Sequence, residues 1–339
     1  MAAVPPLAGL YRYDFEKPVA ELAHRVQELR KNKPDERAAD LQALETQLEG
    51  LKRKTYRQLT AWQRVQLARH PLRPYTLDYI RLTMGDFIEL HGDRLYGDDT
   101  ALIGGVATVE GQHVMVLGHQ KGRDTKENLM RNFGSAHPEG YRKAMRLMEL
   151  AAKRRLPVAI FIDTPGAYPG IGAEERGQAH SIAENMRDMA RLPTPIYICV
   201  IGEGGSGGAL GVGVGDWVAM LENAYYSVIS PEGCAAILWR DRAKAPQAAE
   251  ALKLTGSDLL RLGLVDEVLE EPLGGAHHDA VAIAQKVQAS LVRFLSAVKG
   301  RSVGDLLASR YDRFRRIGAF TTAPLSPPAP PNTSPTPLS

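Results

Sequence analysis

The 339-residue sequence has few cysteines, little net charge and no long apolar run, and each shortage excludes a class of protein. Its two cysteines, Cys199 and Cys234, lie far apart without C-x-x-C spacing, which argues against a disulfide scaffold and a cysteine zinc site. The 42 basic and 39 acidic residues leave a net charge of +3, which by itself implies no strong attraction to nucleic acid or a membrane surface. No signal-peptide pattern begins the chain, and no run of roughly 18 apolar residues follows. We therefore expect a protein of the reducing cytoplasm.

The chain does have enough apolar residues, 44%, to bury a large core, and their spacing divides it into three regions. Residues 1–73 predict a helical hairpin joined around Pro34, because apolar residues recur at helical spacing on both sides of it (Val19, Leu22, Val26 and Leu29; Leu41, Leu44, Leu48 and Leu51). In residues 74–320 short apolar runs alternate with amphipathic helices, which indicates an α/β domain. Residues 321–339, rich in proline, serine and threonine, predict a disordered tail.

Several stretches of the central region repeat a step from strand through turn to helix. "ALIGGVATVEGQHVMVLGHQ" predicts two strands joined at Glu110 and Gly111, and "PVAIFID", "PIYICVIG", "DWVAML" and "YSVIS" predict further buried strands. "FIDTPGAYPGIGAEERGQ" and "VIGEGGSGGALG" each continue through a glycine turn into a helix. A third unit, "VISPEGCAAILWRD", places Ser230 as the N-cap and Pro231 as the first helical residue.

The glycine-rich stretch "IGEGGSGGALGVGVGD", residues 201–216, permits three interpretations. The first is a dinucleotide site, because Gly202, Gly204 and Gly207 satisfy G-x-G-x-x-G after a strand and Glu222 follows the next strand. The positions that follow hold further glycines, and each would weaken the crossover helix by about 1 kcal/mol relative to alanine. This cost argues against a dinucleotide site. A Walker phosphate loop is disfavoured because no G-K-[ST] follows.

The second interpretation is a serine hydrolase. Residues 204–208 satisfy G-x-S-x-G, a strand-to-helix elbow that would present Ser206 as nucleophile. Asp266 and the pair His277 and His278 follow in the required chain order. Serine between glycines is equally an ordinary turn sequence, so this reading stays an alternative.

The third interpretation is a site made of backbone. A helix N-terminus carries unsatisfied N–H groups and about half a positive charge, so Gly207 and Gly208 in its first turn would bind a negatively charged oxygen. Close packing of the helix on the sheet explains some of the later glycines. It does not by itself explain why the turn has no side chains.

A set of ordered motifs gives the chain a family resemblance. "RPYTLDYIRL", "GHQKGRDTKEN", "RNFGSAHPEGYRKA", "FIDTPGAYPGIGAEERGQ", "VIGEGGSGGAL" and "YSVISPEGCAAILWRD" together resemble the carboxyltransferase alpha subunit of bacterial acetyl-CoA carboxylase, over roughly residues 14–320. The resemblance implies an α/β fold of the ClpP/crotonase type, with repeated ββα units in a superhelix.

The resemblance also implies the reaction and the partners. The carboxyl group would pass from carboxybiotin, on the biotin carboxyl carrier protein, to acetyl-CoA, giving malonyl-CoA in the first committed step of fatty acid synthesis. The alpha subunit is expected to act only with a beta subunit of like fold in an α2β2 assembly, supplied by biotin carboxylase. The zinc ribbon belongs to the beta subunit, so this chain is expected to bind no metal.

The resemblance assigns site residues by matched position. Gly207 and Gly208 are expected to face the ureido oxygen of biotin, and Gly166 or Ala167 in "DTPGAYPG" is expected to supply a second donor turn, with Asp163 structural. Further substrate contacts are assigned to the adjoining glycines and to the loop with basic residues, where CoA phosphates or the acidic carrier would bind; a solvated charged loop is the alternative (Gly204, Gly205, Lys121, Arg123).

Two other functions remain open on the sequence. An enoyl-CoA hydratase or isomerase of the same fold would also use paired backbone donors, but normally with a glutamate acid/base on the adjacent helix, and Glu203 instead precedes the turn. A non-catalytic scaffold that organises a partner subunit is the rival of a different class.

Overall fold

The computed structural model describes residues 9–32 and 38–318, and a single mixed sheet runs through the centre of these residues. The strands lie in the order β1-β2-β3-β4-β5-β6-β8, and β7 pairs with the end of β5. The first three are antiparallel and the others are parallel. Their bounds are β1 Gly85–Glu89, β2 Leu102–Val109, β3 Gln112–His119, β4 Val158–Thr164, β5 Ile196–Gly205, β6 Trp217–Leu221, β7 Tyr225–Ser227 and β8 Glu267–Leu269.

Helices connect the strands and cover the sheet. They are α1 Lys17–Asn32, α2 Ala38–Arg57, α3 Ala61–Ala68, α4 Thr76–Thr83, α5 Thr125–Met130, α6 Pro138–Arg154, α7 Ile171–Glu175, α8 Gln178–Arg191, α9 Ser206–Leu210, α10 Pro231–Trp239, α11 Ala245–Leu252, α12 Gly256–Arg261, α13 Ala280–Val298 and α14 Val303–Arg315. Short 3-10 turns lie at Asp14–Glu16, Asn132–Gly134, Arg242–Lys244 and Ala276–His278.

The predicted strands are present, and their amino-acid composition accounts for the hairpin turn and for the burial of the central strands. The β2–β3 hairpin turns at Glu110 and Gly111, both with positive φ (45° and 78°), as a two-residue hairpin requires. Every residue of β4 and β5 is buried, because parallel strands covered on both faces favour continuous apolar runs. The strand predicted in "YSVIS" is shorter than expected and ends at Ser227.

The parallel run β3-β4-β5 positions the candidate site. Because neighbouring parallel strands end at the same edge of a sheet, the segments after His119, Thr164 and Gly205 emerge side by side. The glycine turns singled out in the sequence lie at this edge. At the third repeated unit Ser230 caps α10, its hydroxyl accepting from the Gly233 amide, and Pro231 is the first helical residue, as predicted.

The N-terminal helices pack on each other and on the main body. Val19, Leu22, Ala23 and Val26 of α1 form one cluster with Leu48 of α2, while the connection predicted at Pro34 lies outside the described residues. Helix α3 joins the main body through a second cluster (Ala61, Val65, Ala68, Tyr225, Ala249, Leu254). The domain boundary at residues 73/74 stays a prediction, and the tail predicted at 321–339 lies outside the described residues.

Two C-terminal helices complete the described chain. In these residues α13 is the one helix long and apolar enough to cross a membrane, but Ile283, Val287 and Leu291 on one of its faces are buried in the core. Helix α14 is anchored by Arg310, which is 1% exposed and binds both carboxylate oxygens of Asp216.

Candidate active site at the edge of the sheet

Two turns that follow neighbouring strands touch through their backbones. A Cβ atom placed on Gly208 would lie 2.4 Å from the carbonyl carbon of Gly166 and 2.5 Å from the nitrogen of Ala167. One placed on Gly205 would lie 2.2 Å from the carbonyl oxygen of Pro165. Real Cβ atoms do not approach backbone so closely, so Gly205 and Gly208 allow the two turns to meet. Close packing thus explains why two positions of the glycine-rich turn, Gly205 and Gly208, carry no side chain.

Gly207 is the exception. A Cβ atom there would first meet the Cδ1 atom of Ile182, at an ordinary contact distance of 3.5 Å. The residue is partly exposed, and no side chain in the described part of the chain caps the start of α9. The N–H groups of Gly207 and Gly208 therefore lie in the first turn of a helix, where backbone donors lack an intrahelical acceptor.

Ser206 does not have the partners that a hydrolase would need. Its φ of +51° and its exposure fit a strained elbow. However, Asp266 accepts hydrogen bonds from the Val218 amide and from Arg313. His277 stacks on His70, with 3.8 Å between ring centroids, and its Nε2 lies 3.2 Å from the carbonyl oxygen of Leu10. The structure does not bring the predicted triad together.

In the second turn the amide of Gly166 is already hydrogen-bonded, whereas the described residues show no acceptor for the amide of Ala167. The amide of Gly166 donates to the hydroxyl of Thr164 at 3.1 Å, and that hydroxyl donates to the Gly166 carbonyl at 2.8 Å. Gly166 has a φ of +153°, which side chains rarely tolerate. Ala167 is partly exposed and adjoins Gly208. Of the two alternatives left by the sequence, Ala167 is therefore the better-placed donor.

Packing also explains the glycines that suggested a dinucleotide site. A Cβ atom on Gly202 would lie 2.5 Å from Oδ1 of Asp163, and one on Gly204 would lie 2.9 Å from the ring of Tyr226. Glu222 lies 3.6 Å from Arg64 and accepts from the backbone of Glu271. Helix α9 has only five residues, so it is not the long crossover helix of a dinucleotide fold. The substrate-binding role expected for Gly204 and Gly205 stays a prediction.

Beneath the turns lies a buried group of charges. The ammonium of Lys121 donates to Oδ1 of Asp163 at 2.6 Å and to Oε1 of Glu203 at 2.9 Å. The other oxygen of Glu203 accepts from Arg69 at 2.8 Å and from the hydroxyl of Tyr225 at 2.7 Å. Burial alone would raise the pKa of Glu203, but the charges of Lys121 and Arg69 lower it to about 2. Burial opposes the charge of Lys121, yet both carboxylates raise its pKa.

Arg123 is likewise held within the chain. Its guanidinium donates to the carbonyl oxygens of Pro71 and Arg73 at 3.0 and 2.8 Å and to the carboxylate of Asp78. It also lies over the ring of Tyr75, 4.0 Å from its centroid. Arg123 remains 41% exposed, so its predicted contact with CoA phosphates or the carrier stays open. Lys121, whose side chain is 11% exposed, already binds two carboxylates.

An apolar groove runs from Ser206 toward the end of α14. Its volume is about 670 Å³, and its walls are mainly aliphatic and aromatic (Leu210, Val214, Tyr226, Leu259, Tyr311, Phe314). Val228, which lines the groove, is 73% exposed, and Ile237 and Leu238 of α10 are 72% and 63% exposed. Exposed apolar side chains grouped on one surface are typical of a region that a second protein covers.

Comparison with known proteins identifies the family. A profile described as "Acetyl co-enzyme A carboxylase carboxyltransferase-like" matches residues 12–318. The chain belongs to this carboxyltransferase family. A Geobacter metallireducens protein named acetyl-coenzyme A carboxylase carboxyl transferase subunit alpha is 54% identical over 316 residues, 93% of this chain and 99% of its own. One of the same name from Thermus thermophilus is 55% identical over 310 residues, 91% and 98% of the two chains.

Solved structures of a transcarboxylase and of a malonate decarboxylase share the fold. Transcarboxylase 12S with methylmalonyl-coenzyme A bound has a TM-score of 0.55 at 19% identity, covering 67% of this chain and 42% of its own. A Pseudomonas malonate decarboxylase hetero-tetramer has a TM-score of 0.53 at 18% identity, covering 70% and 95%. The crotonase-like fold and the carboxyltransferase resemblance predicted from the sequence are confirmed, and the chain is a subunit of an enzyme.

Within this carboxyltransferase family, the site gives no support to hydratase chemistry. Helix α9, "SGGAL", carries no glutamate. Glu203 is 6% exposed and ionised between Lys121 and Arg69, so it is not available to exchange protons with a substrate.

Proposed function

We propose that the chain works as the alpha subunit of a biotin-dependent carboxyltransferase that makes malonyl-CoA from acetyl-CoA, the first committed step of fatty acid synthesis. The observation that carries this proposal is Gly207, a glycine that packing does not require, at the start of a helix beside a second turn. The names of its relatives, both alpha subunits of acetyl-CoA carboxylase carboxyl transferase, support it.

The proposed donors act on the oxygen where charge develops. When bound, carboxybiotin supplies the carboxyl group, and its ureido oxygen becomes negative as that group leaves. The N–H groups of Gly207 and Gly208 would stabilise this oxygen, helped by the positive end of α9. Ala167 would donate from the facing turn. Carboxybiotin would also supply a basic ureido group once its carboxyl group has left, so the residues of this chain would only have to bind and orient the reactants.

We further propose the partners that the sequence predicted. The exposed apolar side chains of α10 favour a large covering protein, which we take to be a beta subunit of like fold with a zinc ribbon, in an α2β2 assembly. Biotin would arrive on its carrier protein after carboxylation by biotin carboxylase, in the cytoplasm. Among the described residues, no three His, Cys, Asp or Glu side chains are arranged to hold a metal.

Reconstitution tests the proposal. The chain is mixed with a candidate beta subunit, carboxylated carrier protein and acetyl-CoA, and both the mass of the assembly and the malonyl-CoA formed are recorded. We expect malonyl-CoA only when both subunits are present. The isolated chain is also assayed for hydration of crotonyl-CoA, and clear turnover there, or no malonyl-CoA from the full mixture, would reject the proposed function.

A further inference from the structure

Lys121 connects the ends of three neighbouring strands. It lies two residues after β3, while Asp163 lies near the end of β4 and Glu203 near the end of β5. We propose that Lys121 is a positioning residue for carboxyl transfer: by pairing with Asp163 and Glu203 it holds the two donor turns at their working separation. This inference rests on the proposed function of those turns.

The contacts of Asp163 show how the ion pair reaches the backbone. Its Oδ1 atom accepts from Lys121 and also from the amide of Glu203, at 2.9 Å. Gly202 makes this approach possible, because a Cβ atom there would occupy the position of the carboxylate. Asp163 is followed directly by the turn that contains Gly166, and Glu203 by the strand end that leads to Gly207. A shift at either carboxylate therefore moves a donor turn.

Charge makes the lysine necessary. Asp163 and Glu203 are 2% and 6% exposed, and two carboxylates this deeply buried repel each other strongly without a cation between them. Arg69 contacts the second carboxylate oxygen of Glu203 and offsets part of its charge, but the same guanidinium also pairs with Glu232. Among the residues that the structure describes, Lys121 is the cation that contacts both carboxylates. The other charged and titratable groups that interact electrostatically with Lys121, Asp163 or Glu203 are Arg69, Arg73, Tyr75, Tyr79, His119, Tyr225 and Glu232.

The test uses Lys121→Met in the reconstituted assembly. We expect kcat for malonyl-CoA formation to fall about 10²-fold at pH 8, the effect of misplacing reacting groups by about 1 Å, with KM for acetyl-CoA nearly unchanged. Without the ammonium, the pKa of one buried carboxyl rises, so it takes up a proton as the pH falls and the repulsion ends. The loss should therefore shrink toward pH 6, whereas the wild-type assembly shows no such recovery.

A charge-matched double variant distinguishes positioning from loss of fold. In Lys121→Met with Asp163→Asn, one buried charge of each sign is removed, while the amide oxygen still accepts from the Glu203 amide. We expect it to regain at least about tenfold in kcat at pH 8 over Lys121→Met, and to lose the pH dependence. Lys153→Met, at the exposed end of α6, is the control and should match wild type.

Several outcomes would overturn the inference. One is a wild-type kcat in Lys121→Met at every pH, and another is a loss of kcat that is independent of pH and persists in the double variant. A third is a rise in KM for acetyl-CoA in place of the fall in kcat, which would make Lys121 a CoA contact. If Lys121→Met does not assemble, Lys121→Gln is assayed instead, and failure of both to assemble assigns Lys121 to folding alone. Failure of the proposed function is distinct, since the wild-type assembly would then form no malonyl-CoA.

Discussion

Gly208 and Gly166 lie in backbone contact, although they belong to different strand-turn-helix units 42 positions apart in the sequence. A Cβ atom on Gly208 would lie 2.8 Å from the Cα of Gly166, whereas one on Gly207 would have room. The family resemblance led us to expect that both glycines face the ureido oxygen of biotin. A side chain at Gly208 would first collide with the backbone of the facing turn. Substitutions at Gly208 therefore test packing between the turns, and substitutions at Gly207 test binding of the ligand.

Gly208→Ala should therefore destabilise the fold. The new methyl group forces the backbones of two turns apart, and such overpacking typically costs about 1–3 kcal/mol. Thermal unfolding of the purified chain measures the loss. Gly207→Ala is the matched control and should unfold at nearly the wild-type temperature; equal stability of the two variants would contradict the described contact.

Gly207→Val should remove activity without removing stability. Its branched side chain would keep the ureido oxygen away from the Gly207 N–H, and denying the oxygen one such backbone donor costs about 10²-fold or more in kcat. Malonyl-CoA formation by the reconstituted assembly is the measurement, with Gly50→Val on the exposed face of α2 as the control. A fully active Gly207→Val assembly would show that this turn does not bind the anion.

Ser206→Ala should retain carboxyl transfer within about twofold of wild type, because changing an exposed side chain without an assigned role alters free energies by about 0.5 kcal/mol or less. Its hydroxyl has neither Asp266 nor His277 as a partner. The same assembly assay measures this. A dead Ser206→Ala enzyme would restore the serine-nucleophile interpretation.

Acid should destabilise the packing of the N-terminal region. Burial lowers the pKa of His70 and of His278 to about 4, and that of stacked His277 to about 2. Between about pH 6.5 and 4 the unfolded chain binds protons that the folded chain does not. The free energy of unfolding therefore decreases as the pH is lowered, by up to about 1.4 kcal/mol per pH unit for each histidine.

The variant that checks this is His278→Phe, which keeps a ring beside Tyr11 and Tyr56 but removes one titrating group. Urea unfolding at pH 7, 6 and 5 should give a shallower pH dependence than in the wild-type chain. An unchanged slope, or a wild-type stability that does not fall over this range, would contradict the prediction.

Charges placed on α10 should weaken subunit assembly. Ile237→Asp with Leu238→Asp puts two carboxylates on the apolar surface that we assign to the beta subunit, and the loss of interface residues of this kind costs more than about 1 kcal/mol, or at least about fivefold in Kd. Analytical ultracentrifugation of the mixed subunits measures it. Leu82→Asp, on α4, is the control; wild-type assembly of the double variant would place the interface elsewhere.

The sequence by itself determined the strands, the turn at Glu110 and Gly111, the cap at Ser230 and the family, because each depends on local spacing or on motifs contiguous in the chain. For the stretch around Gly207 it permitted a backbone function beside a dinucleotide site and a serine nucleophile. The sequence left open which glycines are needed for close packing and which for binding a ligand through the backbone, because a glycine in either role looks the same in a sequence.

Only the tertiary structure decided the surroundings of each candidate. Lys121 reads as part of a basic loop in the sequence, yet its partners Asp163 and Glu203 lie 42 and 82 positions away. Arg69 contacts Glu203 across 134 positions and was not singled out at all. Such contacts follow from parallel strands ending at one edge of a sheet, and no local pattern encodes which distant backbone or opposite charge a side chain will meet there.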